Sequence, residues 1–287
     1  MNMKENLKKI YYTIFKKHPY IYIYRLISKI TPRKKIDVYY SKNYKGNKNL
    51  VEKFICMGLA DEYYSMDERE RRIVNKTKLW GSEGGYGWHK EKIKRYDDMN
   101  KNEGGIENRK LVISQISELM KAYPNRYEKI CEIGTGNGIF LSLIYKKIKN
   151  MRGYIGLDIN KKQILENKKK FDKELEFLSE DALEYAKKDS GKTIYMSCGT
   201  FEYFSQNELE ELFEVIKSKE SAAIVLCEPV NMDLRNERKS KIRGNTAYSH
   251  NYEYILKKMN YKIFRSEIKN LSEKDPTYLL VYITAIN

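Results

Sequence analysis

The stretch KICEIGTGNGIFL, residues 129–141, places Gly134, Gly136 and Gly138 between two apolar runs. Residues 130–133 read as a short strand. From Ile139 the spacing of Phe140, Leu143 and Ile144, with Lys146 and Lys147 beyond them, reads as an amphipathic helix. The glycines therefore occupy a strand-to-helix turn, where losing the side chain lets the backbone bend tightly and take positive φ. Such a turn also brings free N–H groups of a helix N-terminus toward an electron-rich ligand. The dinucleotide fingerprint needs its third glycine three positions after the second, whereas Gly138 follows Gly136 by two, which counts against NAD.

The rest of the chain continues an alternating strand and helix rhythm. YIGLDIN (154–160) is a second strand ending in Asp158, 20 residues past Gly138, which is room for one helix and one strand. LEFLSEDALEYA (175–186) is a third strand followed by Asp181 and Ala182, and KTIYMSCGTFEYF (192–204) carries a fourth. Ser205-Gln206-Asn207-Glu208 is a capping-box pattern that opens a helix with Leu209, Leu212, Phe213 and Ile216 on one face. AAIVLCEPV (222–230) has the unbroken apolar character of a central parallel strand. An irregular polar stretch (231–247) precedes a helix, NYEYILKKMN, and two strands, YKIFRSEI and TYLLVYITAI. Periodicity alone predicts an α/β doubly wound sheet.

Glu132, Gly134, Gly136 and Gly138 also stand in the order acidic-x-G-x-G-x-G. With the strand order behind it, residues 111–287 resemble the class I S-adenosylmethionine-dependent methyltransferases. The resemblance implies a Rossmann-like seven-stranded sheet with helices on both faces and an antiparallel end, and S-adenosyl-L-methionine as cofactor. It also implies a cofactor site made of Glu132, Gly134, Thr135, Gly136, Gly138, Asp158, Ile159, Asp181, Ala182 and Cys198. In that arrangement Asp158 binds the ribose hydroxyls, Asp181 and Ala182 lie near the adenine, and the end of the fourth strand, Ser197 to Thr200, faces the methyl group.

Length and composition suit a soluble protein with a real core: 287 residues, 33% charged and 41% hydrophobic. Cys56, Cys131, Cys198 and Cys227 show no C-x-x-C spacing, so neither a metal site nor a disulfide framework is expected, and a reducing cytoplasm is the expected home. No apolar run is long enough to span a membrane, and the N-terminus lacks the apolar core and cleavage site of a signal peptide. The net charge of +16 is unevenly spread: residues 1–60 hold 14 Lys/Arg against 3 Asp/Glu, a net of +11, while residues 111–287 carry only +4. Any basic partner surface therefore belongs to the N-terminal segment.

That segment, residues 1–75, reads as helical. Met3, Leu7, Ile10, Tyr11, Ile14 and Phe15 form one face of an amphipathic helix that ends before Pro19, with Lys4, Lys8, Lys9 and Lys16 elsewhere on the wheel. A second helix, YIYIYRLISKI, stops at Thr31-Pro32. Such helices can cover the catalytic domain or a partner chain, lie in an anionic membrane interface through residues 1–36, or grip RNA. Residues 76–110 read as a lid or linker, in which glycines flank Trp80, Tyr86 and Trp88 and His89 follows.

Methyl transfer is an in-line displacement, and it needs a base only where the acceptor must lose a proton. His250, ahead of the late helix, is the first candidate base, followed by Glu228 at the end of the fifth strand and by Glu202. The fourth strand ends in SCGT rather than the N/D-P-P-Y/F of enzymes that methylate exocyclic amines of bases. YSHNYEYILKKMNYKIF is similar to the corresponding stretch of sugar O-methyltransferases. These features favour a hydroxyl acceptor on a small molecule, a surface glycan or a lipid-linked sugar. An RNA methyltransferase and a non-catalytic cofactor-binding protein are the alternatives.

Overall fold

The structure, a computed structural model, describes residues 19–32, 35–36, 39, 49–81, 103–231, 237–243, 247–270 and 278–287. The chain divides into two compact units, Met1–Trp88 and His89–Asn287. The amphipathic helix expected before Pro19 and the residues 82–102 of the expected lid lie outside the described residues. Of the described residues of the 76–110 segment, 76–79 and 103–110 are helical and 80–81 form a turn.

The first unit contains α1 (Pro19–Ile30), α2 (Leu50–Ser65) and α3 (Glu68–Val74), the last running into a π-helical turn (Asn75–Leu79). Complete capping boxes start α2, through Asn49 and Glu52, and α3, through Asp67 and Glu70, so each helix begins with two backbone N–H groups satisfied by side chains. Tyr24, Ile55, Leu59, Tyr63, Val74 and Leu79 form the core of this unit. Gly58 lets α1 approach α2: a Cβ there would stand 2.1 Å from Cγ of Tyr24.

The second unit opens with α4 (Glu103–Ala122) and then alternates β1 (Lys129–Ile133), α5 (Ile139–Lys147), β2 (Gly153–Leu157), α6 (Lys161–Lys170), β3 (Leu175–Leu178), α7 (Ala182–Lys188) and β4 (Thr193–Cys198). A 3₁₀ turn (Phe201–Tyr203) leads to α8 (Gln206–Lys217) and β5 (Ala223–Asn231). After β6 (Lys241–Arg243) and β7 (Ala247–Ser249) come α9 (Tyr252–Lys258), β8 (Lys262–Asn270) and β9 (Tyr278–Ile286). Seven strands form one sheet in the order β3-β2-β1-β4-β5-β9-β8. β1 to β5 are parallel, and β9 runs antiparallel to both β5 and β8, as the resemblance implies.

Strand alternation sends side chains to two cores. Cys131, Ile133, Leu226 and Ile283 meet α7, α8 and α9 through Leu183, Phe213 and Ile255. Ile130, Met196, Val225 and Tyr282 meet α4, α5 and α6 through Ile116, Leu141 and Ile164. The expected irregular stretch at 231–247 needs correction, because β6 lies within it and pairs with β7, which begins at its last residue, as a small antiparallel sheet. That hairpin is tied down at both ends: the Asn231 N–H donates to Ser249 Oγ at 2.8 Å, and the Ser240 N–H donates to Gln206 Oε1 at 2.9 Å.

Candidate functional site

In a doubly wound sheet a ligand crevice forms at the carboxyl ends of strands where the strand order reverses. Here that point lies between β1 and β4. The turn after β1 carries Gly134 at φ 73°, Gly136 at φ 50° and Gly138 at φ 72°, the left-handed region that other residues enter at a cost. Gly134 and Thr135 both donate to the Leu157 carbonyl at 2.8 Å, pinning the turn to the end of β2.

The reason for glycine differs along the turn. A Cβ on Gly134 would stand 2.1 Å from Thr200 Oγ1, and one on Gly138 would strike the Phe171 and Phe177 rings at 2.7 and 2.9 Å. These two glycines make room for the protein's own β4 turn and β3 rather than for a ligand alone. Gly136 is held from both sides: its N–H donates to Asp158 Oδ2 at 3.0 Å, and its carbonyl accepts from Asn167 Nδ2 at 2.7 Å. Asp158 Oδ1 accepts from the Asn160 N–H at 2.8 Å, so the carboxylate is aimed across the glycine turn.

Sequence reasoning missed Asn160, Gln163 and Asn167. Asn160 caps α6, and Gln163 donates to Asn167 Oδ1 at 2.9 Å, beneath the turn. A signal for them existed, since Gln163 and Asn167 are polar residues on the same helix face as the apolar Ile164, and all three are buried.

Glu132, at the end of β1, is 3% exposed and accepts from Thr135 Oγ1 at 2.6 Å. Burial pushes its carboxyl up to about 8, against the opposing effects of that hydroxyl and of the Arg109 charge. Arg109, on α4, stacks its guanidinium 5.7 Å from the centre of the Phe140 ring. Its contribution was not legible in the sequence, because α4 precedes the motif by one loop and only folding brings the two together.

The β4 turn is organised by Glu228. This side chain on β5 has no exposed surface. Its Oε1 accepts from Ser197 Oγ at 2.5 Å and from the Thr200 and Phe201 N–H groups at 3.1 Å each. Its Oε2 accepts from the Glu202 N–H at 3.3 Å. Burial raises its carboxyl to about 7, while the hydrogen bonds pull the other way. Glu228, expected as a candidate base, thus also clamps residues 197–202. Since Thr200 in turn fills the space beside Gly134, the clamp also sets one wall of the glycine turn.

His250, the first candidate base, is also held inside the protein. It is 1% exposed, its Nδ1 lies 2.6 Å from Ser240 Oγ, and its ring sits between Tyr248 and Tyr252 at centroid distances of 5.8 and 5.1 Å. It anchors the β6–β7 hairpin, which packs on the 3₁₀ turn. Glu202 is the first acidic residue of that turn and is 8% exposed.

Asp181 caps α7, accepting from the Leu183 and Glu184 N–H groups at 3.0 and 3.4 Å, and Ala182 is buried behind it. Ile159 is partly exposed beside Asp158. Cys198 ends β4 in an exposed position, paired in register with Cys227, whose thiol is pushed well up by its hydrogen bond with Cys198 and by burial. Gly199, at φ 72°, has no atom of the described residues within 4 Å of where its Cβ would stand, so with respect to those residues the outer side of the β4 turn is open. Among the described residues no group of His, Cys, Asp or Glu is arranged to hold a metal ion, and no helix is long and apolar enough to cross a membrane.

Residues 130–219 match the family model described as "Methyltransferase domain". In fold the chain is similar to magnesium protoporphyrin IX methyltransferase from Synechocystis PCC 6803 with bound SAH, at 14% identity and TM-score 0.51, over 76% of this chain and 99% of that one. The same cyanobacterial enzyme with bound SAM gives 15% identity and TM-score 0.49 over 78% and 98%. A SAM-dependent methyltransferase from Aquifex aeolicus gives 17% identity and TM-score 0.43 over 59% and 88%. At such identities the likeness is one of fold. No curated protein matches the chain by sequence.

Proposed function

We propose that the chain is a class I S-adenosylmethionine-dependent methyltransferase, a reading supported by the match of residues 130–219 to a methyltransferase domain and by the fold, and that it methylates a hydroxyl group on a small molecule, a surface glycan or a lipid-linked sugar. The observation that carries the cofactor site is the Asp158 carboxylate held 3.0 Å from the Gly136 N–H across a turn of three left-handed glycines. A vicinal diol lying over that turn meets a carboxylate already fixed by backbone bonds, which is the arrangement a ribose requires. Asp181, at the mouth of α7, has the position to accept from an exocyclic amine, and partly exposed Ile159 offers an apolar surface to the adenine ring. S-adenosylmethionine supplies the chemistry as an activated methyl group on a sulfonium.

The chain's own part is positioning. Glu228 holds the β4 turn through Ser197 and three backbone N–H groups, and the side of that turn at Gly199 is open for an acceptor. The strand ends in Ser197-Cys198-Gly199-Thr200, without the residues that cradle a planar exocyclic amine, which supports a hydroxyl acceptor. Glu202, on the 3₁₀ turn that follows the end of β4, is a candidate base for the hydroxyl proton, as are His250 and Glu228, all three being buried.

Titration calorimetry with S-adenosylmethionine, and with NAD as control, tests the first part; micromolar affinity for the sulfonium nucleoside alone is expected. Incubation with sugar, lipid-linked sugar and RNA acceptors, read as S-adenosylhomocysteine release, tests the second. Turnover on RNA alone would overturn the hydroxyl-glycan reading, and no binding of either nucleotide would return the chain to the non-catalytic alternative. Glu202→Gln is expected to lower turnover by ~10²-fold or more with cofactor affinity unchanged. Full activity in that variant would move the base elsewhere or dispense with it.

A further inference from the structure

We propose that the outer face of α1 seats the protein on an anionic membrane surface. The inner face of this helix is committed to its own unit. Tyr24 lies against Gly58 of α2 and donates its hydroxyl to Glu62, and Ile27 packs on the same core. The outer face carries Ile23, Leu26 and Ile30 at i, i+3 and i+7, which line up as one stripe. They are 38%, 63% and 78% exposed. Single exposed aliphatic residues are ordinary on any protein surface, but an aligned row of them marks a binding face.

The charges around that row identify what it binds. Arg25 and Lys29, both exposed and spaced i, i+4, run along one edge of the stripe, and the sequence of α1, PYIYIYRLISKI, contains no acidic residue. Residues 1–60 as a whole carry a net charge of +11. An aliphatic stripe with a cationic edge matches the boundary between acyl chains and anionic headgroups, where apolar burial and charge attraction act together. At 12 residues the helix is too short to span a bilayer, so it lies in the plane of the surface.

Two other occupants fit less well. RNA would use the positive charge and could stack a base on the exposed Arg25, but the described exposed row itself is aliphatic and offers no plane for successive bases. A second copy of the chain would cover the row only by bringing two strongly basic segments together, which their charge opposes.

Vesicle sedimentation of the full-length protein, without methyl donor or acceptor, tests this independently of the catalytic reading. The protein is expected to sediment with phosphatidylglycerol-containing vesicles and not with pure phosphatidylcholine. L26D and I30D are each expected to lower the partition coefficient about tenfold or more. The pair R25Q/K29Q should weaken binding to anionic vesicles only. Because all four side chains are exposed, an unchanged Tm shows that the variants remain folded. Failure to sediment, or equal recovery of the parent and L26D/I30D, would overturn the proposal. Light scattering that shows a dimer split by L26D/I30D would assign the stripe to a second copy instead, and RNA binding lost in that variant would assign it to RNA.

Discussion

Asp158 and Glu228 are both carboxylates among backbone N–H groups, yet they have different tasks. Asp158 spans the glycine turn at the mouth of the crevice, so Asp158→Ala is expected to abolish measurable S-adenosylmethionine binding in a protein that still folds; unchanged affinity by calorimetry would remove the ribose assignment. Glu228 lies wholly inside and acts on the β4 turn. Glu228→Gln keeps an acceptor at one atom but places an amide where the other oxygen accepts. A loss of about 1–3 kcal/mol in denaturant unfolding is expected, with weaker cofactor binding through the Thr200–Gly134 contact. The two buried glutamates also make stability depend on pH. Glu132 and Glu228 are raised from 4.5 to about 8 and about 7, so between those limits the folded chain holds protons that the unfolded chain has released. Their contribution is whole below the unfolded value, and it is lost as pH rises through the folded values. Tm is therefore expected to be higher near about pH 6 than near about pH 8.5, with Glu132→Gln flattening the difference. An unflattened slope in that variant would assign the dependence to other groups.

Individual elements begin where their caps say they should. Ser205 and Glu208 form the capping box of α8 that their spacing announces, and Asp181 caps α7 while being proposed as a cofactor residue. The two functions of Asp181 can be separated. Asp181→Ser retains a capping oxygen and is expected to keep its stability, whereas Asp181→Ala should lose about 1 kcal/mol. Both should bind cofactor less tightly if the carboxylate reads the adenine. If denaturation shows the stability loss but calorimetry shows no change in affinity, the residue is a cap and nothing more. In the helical unit, Gly58→Ala drives a methyl group into the Tyr24 ring and is expected to cost about 1–3 kcal/mol through overpacking, seen as a lower midpoint for the unit that contains α1.

On the scale of the whole molecule, each compact unit has its own buried core and its own electrostatic character. The sheet unit holds the glycine turn and the β4 turn, while residues 1–60 hold most of the positive charge. Two thermal transitions are expected in calorimetry. S-adenosylmethionine at about 100 times its Kd should stabilise only the sheet unit, by about 2.7 kcal/mol. A single transition that moves as one would show that the units unfold cooperatively.

The order of strands and helices from residue 129 onward was legible in the sequence because local chemistry specifies it. Apolar alternation marks the strands, the spacing of Leu209, Leu212, Phe213 and Ile216 marks α8, and three glycines in a row of alternate positions mark the turn. That β8 and β9 are strands was equally plain, while their antiparallel pairing was implied only by the family resemblance. What each polar residue does was not, because that depends on neighbours far away in the chain. Glu228 and His250 were legible as candidate bases, but the partners that hold them were not. Folding brings the β4 turn onto Glu228, 26 to 31 residues away, and it closes Tyr248, Tyr252 and Ser240 around His250. Gly134 and Gly138 look as though they clear space for a ligand, and only packing shows that Thr200, Phe171 and Phe177 occupy that space. Backbone preference acts over a few residues and can be read from a string. Burial and hydrogen-bond partnership arise from contacts across the sheet, and it is these that decide whether a carboxylate is a clamp or a base.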